Sequence, residues 1–168
     1  MGYFILFLIV TALIIGGAIA YYKSEKKARL QKYSAFYTGI FKHVGGLPLA
    51  EGVLVEVFYG REKIIFKKEQ QEISLECSRI IDMDTVFGKD VNAQAASGAT
   101  AGAIIGGGIA GAAIGALLTS SLYFVITYNK DEEPQFIFLD TAASGSVANK
   151  IAEDFKAINI RETKEIEL

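Results

Sequence analysis

The sequence predicts an α+β protein: an N-terminal transmembrane helix, then an antiparallel sheet that is closed by a C-terminal helix and interrupted by a Gly/Ala-rich helical hairpin. Three observations support this fold class. The chain begins with an uncharged run of 18 residues, continues with short alternating segments at hairpin spacing, and contains a second uncharged run rich in Gly and Ala. Its 168 residues suffice for one domain of ordinary size with appendages.

Charge and composition exclude several function classes. Residues 1–43 hold six Lys and Arg against one Glu, whereas residues 44–168 carry a net charge of −7. The whole chain has a net charge of −2 and no nucleic-acid-binding motif, which argues against a nucleic-acid partner. One Cys and one His exclude a disulfide framework and a Cys/His zinc site, and no cofactor is expected.

The uncharged run Tyr3–Ala20 is the predicted membrane anchor, in a segment bounded at 1–22. At about 1.5 Å per residue it reaches roughly 27 Å, close to the thickness of a hydrocarbon core. Tyr21 and Tyr22 suit the headgroup layer, and the cations after them predict a single-pass protein of the inner or plasma membrane with a cytoplasmic C-terminal domain. The alternatives are a buried core helix or a cleaved signal peptide, which the lack of a charged n-region disfavours.

The segment 23–46 has apolar residues at helical spacing and predicts a basic amphipathic helix, ended by Gly45–Pro48. Its cations would lie against anionic lipid, each contributing about 1 kcal/mol near the surface. The alternative is a helix that packs its aromatic stripe on the following domain, and the two are compatible. The predicted lipid-contact residues are Lys23, Lys26, Lys27, Arg29 and Lys32.

Short strands at hairpin spacing predict an antiparallel meander within a domain spanning 47–160. The final segment of that domain, Ser144–Ile158, has apolar residues at helical spacing and predicts an amphipathic helix, and 161–168 is a charged tail. The predicted strands are Gly52–Tyr59, Lys63–Lys68, Glu72–Cys77, Arg79–Phe87, Leu122–Tyr128 and Gln135–Leu139.

The segments GVLVEVFYGREKIIFKK, SLYFVITYNKDEEPQFIFLD and SVANKIAEDF follow one another as hairpin strands, a strand pair and a closing helix. This order resembles the bacterial pleckstrin-homology-like fold over Glu51–Ile158, apart from the insert. The resemblance implies a module for lipid, peptide or self-association, and it carries over no binding residue. The basic loop of phosphoinositide-binding relatives is reduced here to Gly60–Lys63.

Residues 92–120 interrupt this domain, and their core, Ala95–Leu118, resembles a glycine zipper: small residues recur every four positions, so helix backbones can approach closely. If the flanking strands share one sheet, the insert leaves and returns on one side, as a hairpin turning at Gly106–Gly108. It would dip into a membrane, pack against other copies, or lie on its own domain. The predicted contact residues are Gly98, Gly102, Gly106, Gly107, Gly111 and Gly115.

Catalytic motifs are few. Gly106–Gly111 matches the GxGxxG dinucleotide fingerprint, but Ala101–Ile105 is a poor strand to precede it, and the spacing arises by chance in so glycine-rich a run. Asp82 and Asp84 have the spacing of a metal-binding DxD motif, but the alternation of a strand explains that spacing. His43 is interpreted as a helix cap or a core contact, and Cys77 as a small core residue. No nucleophile–base pair emerges, so an enzyme is not expected.

These observations favour a membrane-anchored, non-enzymatic scaffold or interaction protein that self-associates through its glycine-zipper hairpin. Its expected partners are membrane lipid, further copies of itself, and a protein bound by the pleckstrin-homology-like domain. The alternative is a pore-forming or membrane-perturbing oligomer, a channel or leak in which several hairpins line the pore. No metal site or catalytic residue is predicted.

Overall fold

A computed structural model describes residues 2–88, 121–141 and 144–166, in which two α-helices flank a set of seven strands. Helix α1 spans Gly2–Lys32, and helix α2 spans Gly145–Ile166. A short 3-10 turn, Cys77–Arg79, joins the fourth strand to the fifth. The strands are β1 (Ala35–Gly45), β2 (Leu54–Gly60), β3 (Lys63–Lys68), β4 (Gln71–Glu76), β5 (Ile80–Phe87), β6 (Leu122–Lys130) and β7 (Glu133–Asp140).

Strand β1 joins the two halves of the chain into one antiparallel sheet. Among the described residues the strand order is β4-β3-β2-β1-β7-β6-β5. Lys42 of β1 lies opposite Leu54 of β2 on one side and opposite Asp140 of β7 on the other. The segments before and after the insert therefore share one sheet, and the architecture is compatible with a pleckstrin-homology-like fold.

One face of the sheet packs against α2 to form the main core. Side chains that alternate along the strands, such as Phe41, Val57 and Phe124, are fully buried there. From α2, Ile151 and Phe155 contribute to the same cluster, as the helical spacing predicts. Each such side chain contributes about 1.5–3 kcal/mol when removed from water.

A second apolar cluster lies on the opposite face of β6 and β7. Tyr123 and Val125 of β6 are buried there with Phe136 and Phe138 of β7. Phe138 lies directly opposite Val125 in the strand register, as expected for a cross-strand pair on one face. Both faces of these two strands are therefore apolar and buried, in contrast to β4, whose side chains are mostly exposed.

The structure corrects the predicted transmembrane anchor. In the part of the chain that the structure describes, no helix is both long enough and apolar enough to cross a membrane. The prediction of a transmembrane segment at 1–22, and with it the single-pass membrane localisation, is therefore wrong. Tyr3–Ala20 instead belongs to α1, which continues without a break through the charged sequence to Lys32.

The predicted helix over 23–46 is wrong from Ala35 onwards, where β1 begins. Tyr37 and Phe41, which belong to the helical stripe, also fit a strand, because they alternate along it with Gly39 and His43. Phe41 and His43 are buried, whereas Ile40, directly before Phe41, is 55% exposed and Lys42 between them is exposed. Pairing with strands on both sides overrides the local helical pattern.

The chain leaves β1 through Gly46, whose conformation only glycine adopts without strain. Its φ is +92°, and an added Cβ would overlap the carbonyl oxygen of Phe136 in β7. Gly52 also has a positive φ, +81°, but an added Cβ there would meet only Lys42 Cε at 3.7 Å. An alanine at Gly52 would therefore cost only the strained backbone conformation, whereas an alanine at Gly46 would also have to displace β7.

We expect Gly46→Ala to destabilise the protein far more than Gly52→Ala. Gly52→Ala should lower the free energy of unfolding by about 1 kcal/mol, the cost of the left-handed conformation. Gly46→Ala adds a backbone displacement and should cost about 3 kcal/mol or more. Urea unfolding followed by circular dichroism measures both. Equal losses in the two variants would contradict this view of the β1–β7 contact.

Candidate functional site

The end of α1 is fixed to the sheet by a polar cluster around Tyr33. The Tyr33 hydroxyl donates to Glu72 Oε1 of β4 at 2.6 Å and accepts a hydrogen bond from Lys67 Nζ of β3 at 2.8 Å. Lys67 Nζ also lies 3.3 Å from Glu72 Oε1. The Tyr33 ring packs against Phe58 of β2, with 4.2 Å between ring centroids. The last turn of α1 is thus tied to β2, β3 and β4 together.

Two of the five predicted lipid-contact residues take part in this attachment. Arg29 forms an ion pair and hydrogen bond with Glu56, and its guanidinium lies 5.7 Å from the centroid of the Phe58 ring. Lys32 Nζ lies 5.4 Å from the centroid of the Tyr33 ring. The other three, Lys23, Lys26 and Lys27, are exposed on α1.

The Tyr33 cluster shifts the pKa values of its charged members. The Tyr33 hydroxyl, and then Lys67, lowers the pKa of Glu72, while hydrogen bonds to Tyr33 and Glu72 raise the pKa of Lys67. A lowered carboxyl pKa adds stability that is complete above the unfolded-state pKa of Glu72. That contribution is lost as the pH falls through its pKa in the folded protein, so the attachment of α1 weakens in acid.

A cavity of about 690 Å³ lies where the β2–β3 turn, the 3-10 turn and α2 meet. Its apolar lining comes from Tyr59, Ile80, Phe155 and Ile158. The backbone N–H of Cys77 donates to the Glu62 carbonyl at 2.8 Å, which holds the two turns together beside the cavity.

The two reactive side chains that line the cavity are chemically quiet. Burial raises the pKa of the Cys77 thiol to about 11, so the thiolate is scarce at neutral pH. Burial, with a smaller effect of Asp154, raises the pKa of the Tyr59 hydroxyl well above its usual value. Both groups stay protonated and are suited to packing and hydrogen bonding rather than to nucleophilic attack.

His43 has a structural role at the end of β1. It is 1% exposed, and the Leu47 N–H donates to its Nε2 at 3.2 Å. Its Nδ1 therefore carries the proton and donates to the Ala50 carbonyl oxygen at 3.1 Å. Both ring nitrogens are used in shaping residues 46–52, which fits the interpretation of His43 as a core contact.

The insert leaves the sheet and returns to it at one point. Phe87 lies opposite Leu122 in the β5–β6 register, and the Gly88 N–H donates to the Ser121 carbonyl oxygen at 3.0 Å. The predicted contact residues Gly98, Gly102, Gly106, Gly107, Gly111 and Gly115 lie outside the described residues. The β5–β6 pairing is therefore complete up to both ends of the insert.

Comparisons add no relative: the chain matches no protein-family model, no curated protein and no solved structure. Within residues 2–88, 121–141 and 144–166, no group of three His, Cys, Asp or Glu side chains is placed to hold a metal ion. Sequence reasoning missed the Tyr33 cluster and the cavity. Tyr33 and Glu72 are 39 residues apart, and the cavity brings residues 59–80 together with Phe155 and Ile158, so no local pattern marks either of them.

Removing the Tyr33 hydroxyl should raise the pKa of Glu72 toward that of an ordinary glutamate. Tyr33→Phe deletes the hydrogen bond that lowers the pKa most and leaves the ring contact with Phe58 in place. Carboxyl-carbon NMR titration of Glu72 in the wild type and the variant measures the change. Tyr128→Phe is the control, and an unchanged Glu72 titration in Tyr33→Phe would show that the cluster does not form.

Cys77 should react slowly with iodoacetamide in the native protein. A thiol pKa of about 11 in place of 9.0 lowers the thiolate fraction near pH 8 about a hundredfold. Alkylation rates in buffer and in guanidinium chloride, followed by mass spectrometry, measure this protection. Native and unfolded rates within a factor of three would contradict the burial of the thiol.

Proposed function

We propose that the protein is a non-enzymatic scaffold that assembles with copies of itself through residues 95–118. The observation that carries this proposal is the meeting of the insert's two ends at Gly88 and Ser121. The pairing of β5 with β6 is complete without this long apolar segment, which joins their ends. Its composition therefore calls for another role.

The sequence of residues 95–118 favours contact with another helix. Small residues at every fourth position form a smooth stripe along which helix backbones approach closely, and van der Waals contact then drives association. Glycine in a solvent-exposed helix costs about 1 kcal/mol relative to alanine, so the segment requires a partner surface to be stable as a helix. A second copy of the same segment supplies a stripe of the same shape.

Two side chains support a non-enzymatic role. His43, the sole histidine of the sequence, has both ring nitrogens engaged with backbone groups, and the Cys77 thiol is kept protonated by burial. Neither group is available as a general base or an activated nucleophile. Binding and assembly remain as the activities that these residues favour.

A contact with anionic lipid headgroups is part of the proposal. Lys23, Lys26 and Lys27 are exposed on α1, and each would contribute about 1 kcal/mol near an anionic surface. Arg29 is engaged with Glu56, so it is not counted among the lipid contacts.

The oligomeric mass of three variants tests the proposed assembly. Replacing residues 89–120 with Asn-Gly, a two-residue hairpin turn, should leave the sheet folded and convert the assembly to monomer. Gly107→Leu with Gly111→Leu should weaken association at least tenfold, because leucine blocks close helix approach. Sedimentation velocity in a mild non-ionic detergent, over a range of protein concentrations, measures both.

The matched control is Ala101→Leu with Ala113→Leu, which adds the same side chains away from both small-residue stripes. This variant should associate like the wild type. A wild-type protein that is monomeric at all concentrations would contradict the proposal. So would an equal loss of association in the control and in the Gly107/Gly111 variant.

A further inference from the structure

We infer that residues 95–118 dock on the apolar outer face of β6 and β7 in their own copy of the chain. This outer face, formed by Tyr123, Val125, Phe136 and Phe138, lies opposite the main core. The inference deepens the proposed assembly, because it gives the assembling segment a fixed position on its own sheet. It rests on burial within a single chain, so it holds whether or not the copies associate.

The side chains of the outer face are withdrawn from water although they point away from the main core. Tyr123 and Phe138 are each 3% exposed. Ile40 of β1 also points away from the main core, and it is 55% exposed, as expected for an apolar side chain on an open face of a sheet. Another part of the same chain therefore lies over the outer face.

Neither described helix provides this cover. Every described member of the apolar cluster on this face is a strand residue. Helix α2 packs on the other face, where Ile151 and Phe155 join the main core. Residues 12–29 of α1 are exposed, and the ring that follows α1, Tyr33, lies against Phe58 of β2. The cover therefore comes from the remaining part of the chain.

Residues 89–120 are the one long stretch in that remaining part, and they begin and end beside the outer face. Val86, which packs against the apolar cluster, comes two residues before Gly88, and Tyr123 comes two residues after Ser121. The Gly88 N–H donates to the Ser121 carbonyl oxygen at 3.0 Å. The chain therefore leaves the sheet and returns to it at the edge of the outer face.

The composition and length of residues 95–118 fit this face. The segment contains no charged residue, so its burial against aromatic rings leaves no charge without a partner. From Tyr123 to Thr127, the register partner of Phe136, β6 advances about 13 Å. The predicted turn at 106–108 leaves about ten residues of the segment on each side, which reach about 15 Å as a helix. Each half of the segment is therefore long enough to cover the outer face.

Photocrosslinking of the full-length protein tests this docking. One variant carries p-azidophenylalanine in place of Phe136, and a second carries it in place of Tyr123. Isotope-labelled and unlabelled protein are mixed in mild detergent below the concentration at which the protein associates. After irradiation, elastase digestion is used because residues 95–118 contain no Lys or Arg, and mass spectrometry identifies the crosslinked peptides.

The crosslinks from both positions should join residues 95–118 of the same isotopic chain. The matched control position is Phe36, an aromatic residue that is 53% exposed at the far end of β1 from Val44. Its yield of crosslinks to residues 95–118 should be at least tenfold lower. Circular dichroism checks that each variant folds, and the Tyr123 variant decides the outcome if the Phe136 variant does not.

Crosslinks between labelled and unlabelled chains would identify a second copy as the occupant and overturn the inference. Crosslinks to detergent or to another part of the chain, or equal yields from Phe136 and Phe36, would also overturn it. If the crosslinks form as expected while sedimentation finds only monomer at all concentrations, the proposed assembly fails and this inference stands. If the copies associate while the crosslinks go elsewhere, this inference alone fails.

Discussion

The structure depends on the pairing of β1 along both of its edges. Hydrogen bonds to β2 on one side and β7 on the other bring Ala35–Gly45 together with a strand nearly a hundred residues later in the chain. Helix α2 is attached to the same strand, because the backbone N–H of Ile40 donates to Ser144 Oγ at 3.1 Å. Without β1, the strands before the insert and those after it would be separate sheets with no shared core.

This pairing also determines what the appendages of the sheet can do. Since β5 and β6 belong to the same sheet and pair up to Phe87 and Leu122, residues 89–120 join two adjacent points. The Tyr33 cluster fixes the end of α1 to β2, β3 and β4, so the helix has a defined direction where it meets the sheet. The sheet is therefore attached to α1 through β2, β3 and β4, and to residues 89–120 at the Phe87–Leu122 end of the β5–β6 pair.

Sequence reasoning succeeded where a structure depends on local alternation. Lys63–Lys68 was predicted as a strand with its observed bounds, because its apolar residues and flanking turns are all local signals. The predicted strands Leu122–Tyr128 and Gln135–Leu139 leave a six-residue connection, 129–134, which is longer than the observed one. Both strands extend to a two-residue turn, Asp131-Glu132, whose φ values are +54° and +69°. Neither residue is glycine, so the usual sign of a tight hairpin turn was absent.

Sequence reasoning failed where contacts between distant segments decide the outcome. The aromatic residues of β1 fit both a helical and an alternating pattern, and only the partners on either side favour the strand. The predicted membrane anchor likewise treated an apolar run as a separate element, whereas it is the first part of the longer helix α1. The Tyr33 cluster and the cavity are assembled from several elements each, so a linear pattern does not reveal them.

Hydrogen exchange of the full-length protein, measured by mass spectrometry below and above the concentration at which it associates, tests the account most directly. The account predicts that peptides from β1 to β7 show the same protection in both states, because the sheet is complete in each copy. It predicts that the protection gained on association is confined to peptides from residues 89–120. Protection gained in the sheet strands, or none gained in residues 89–120, would contradict it.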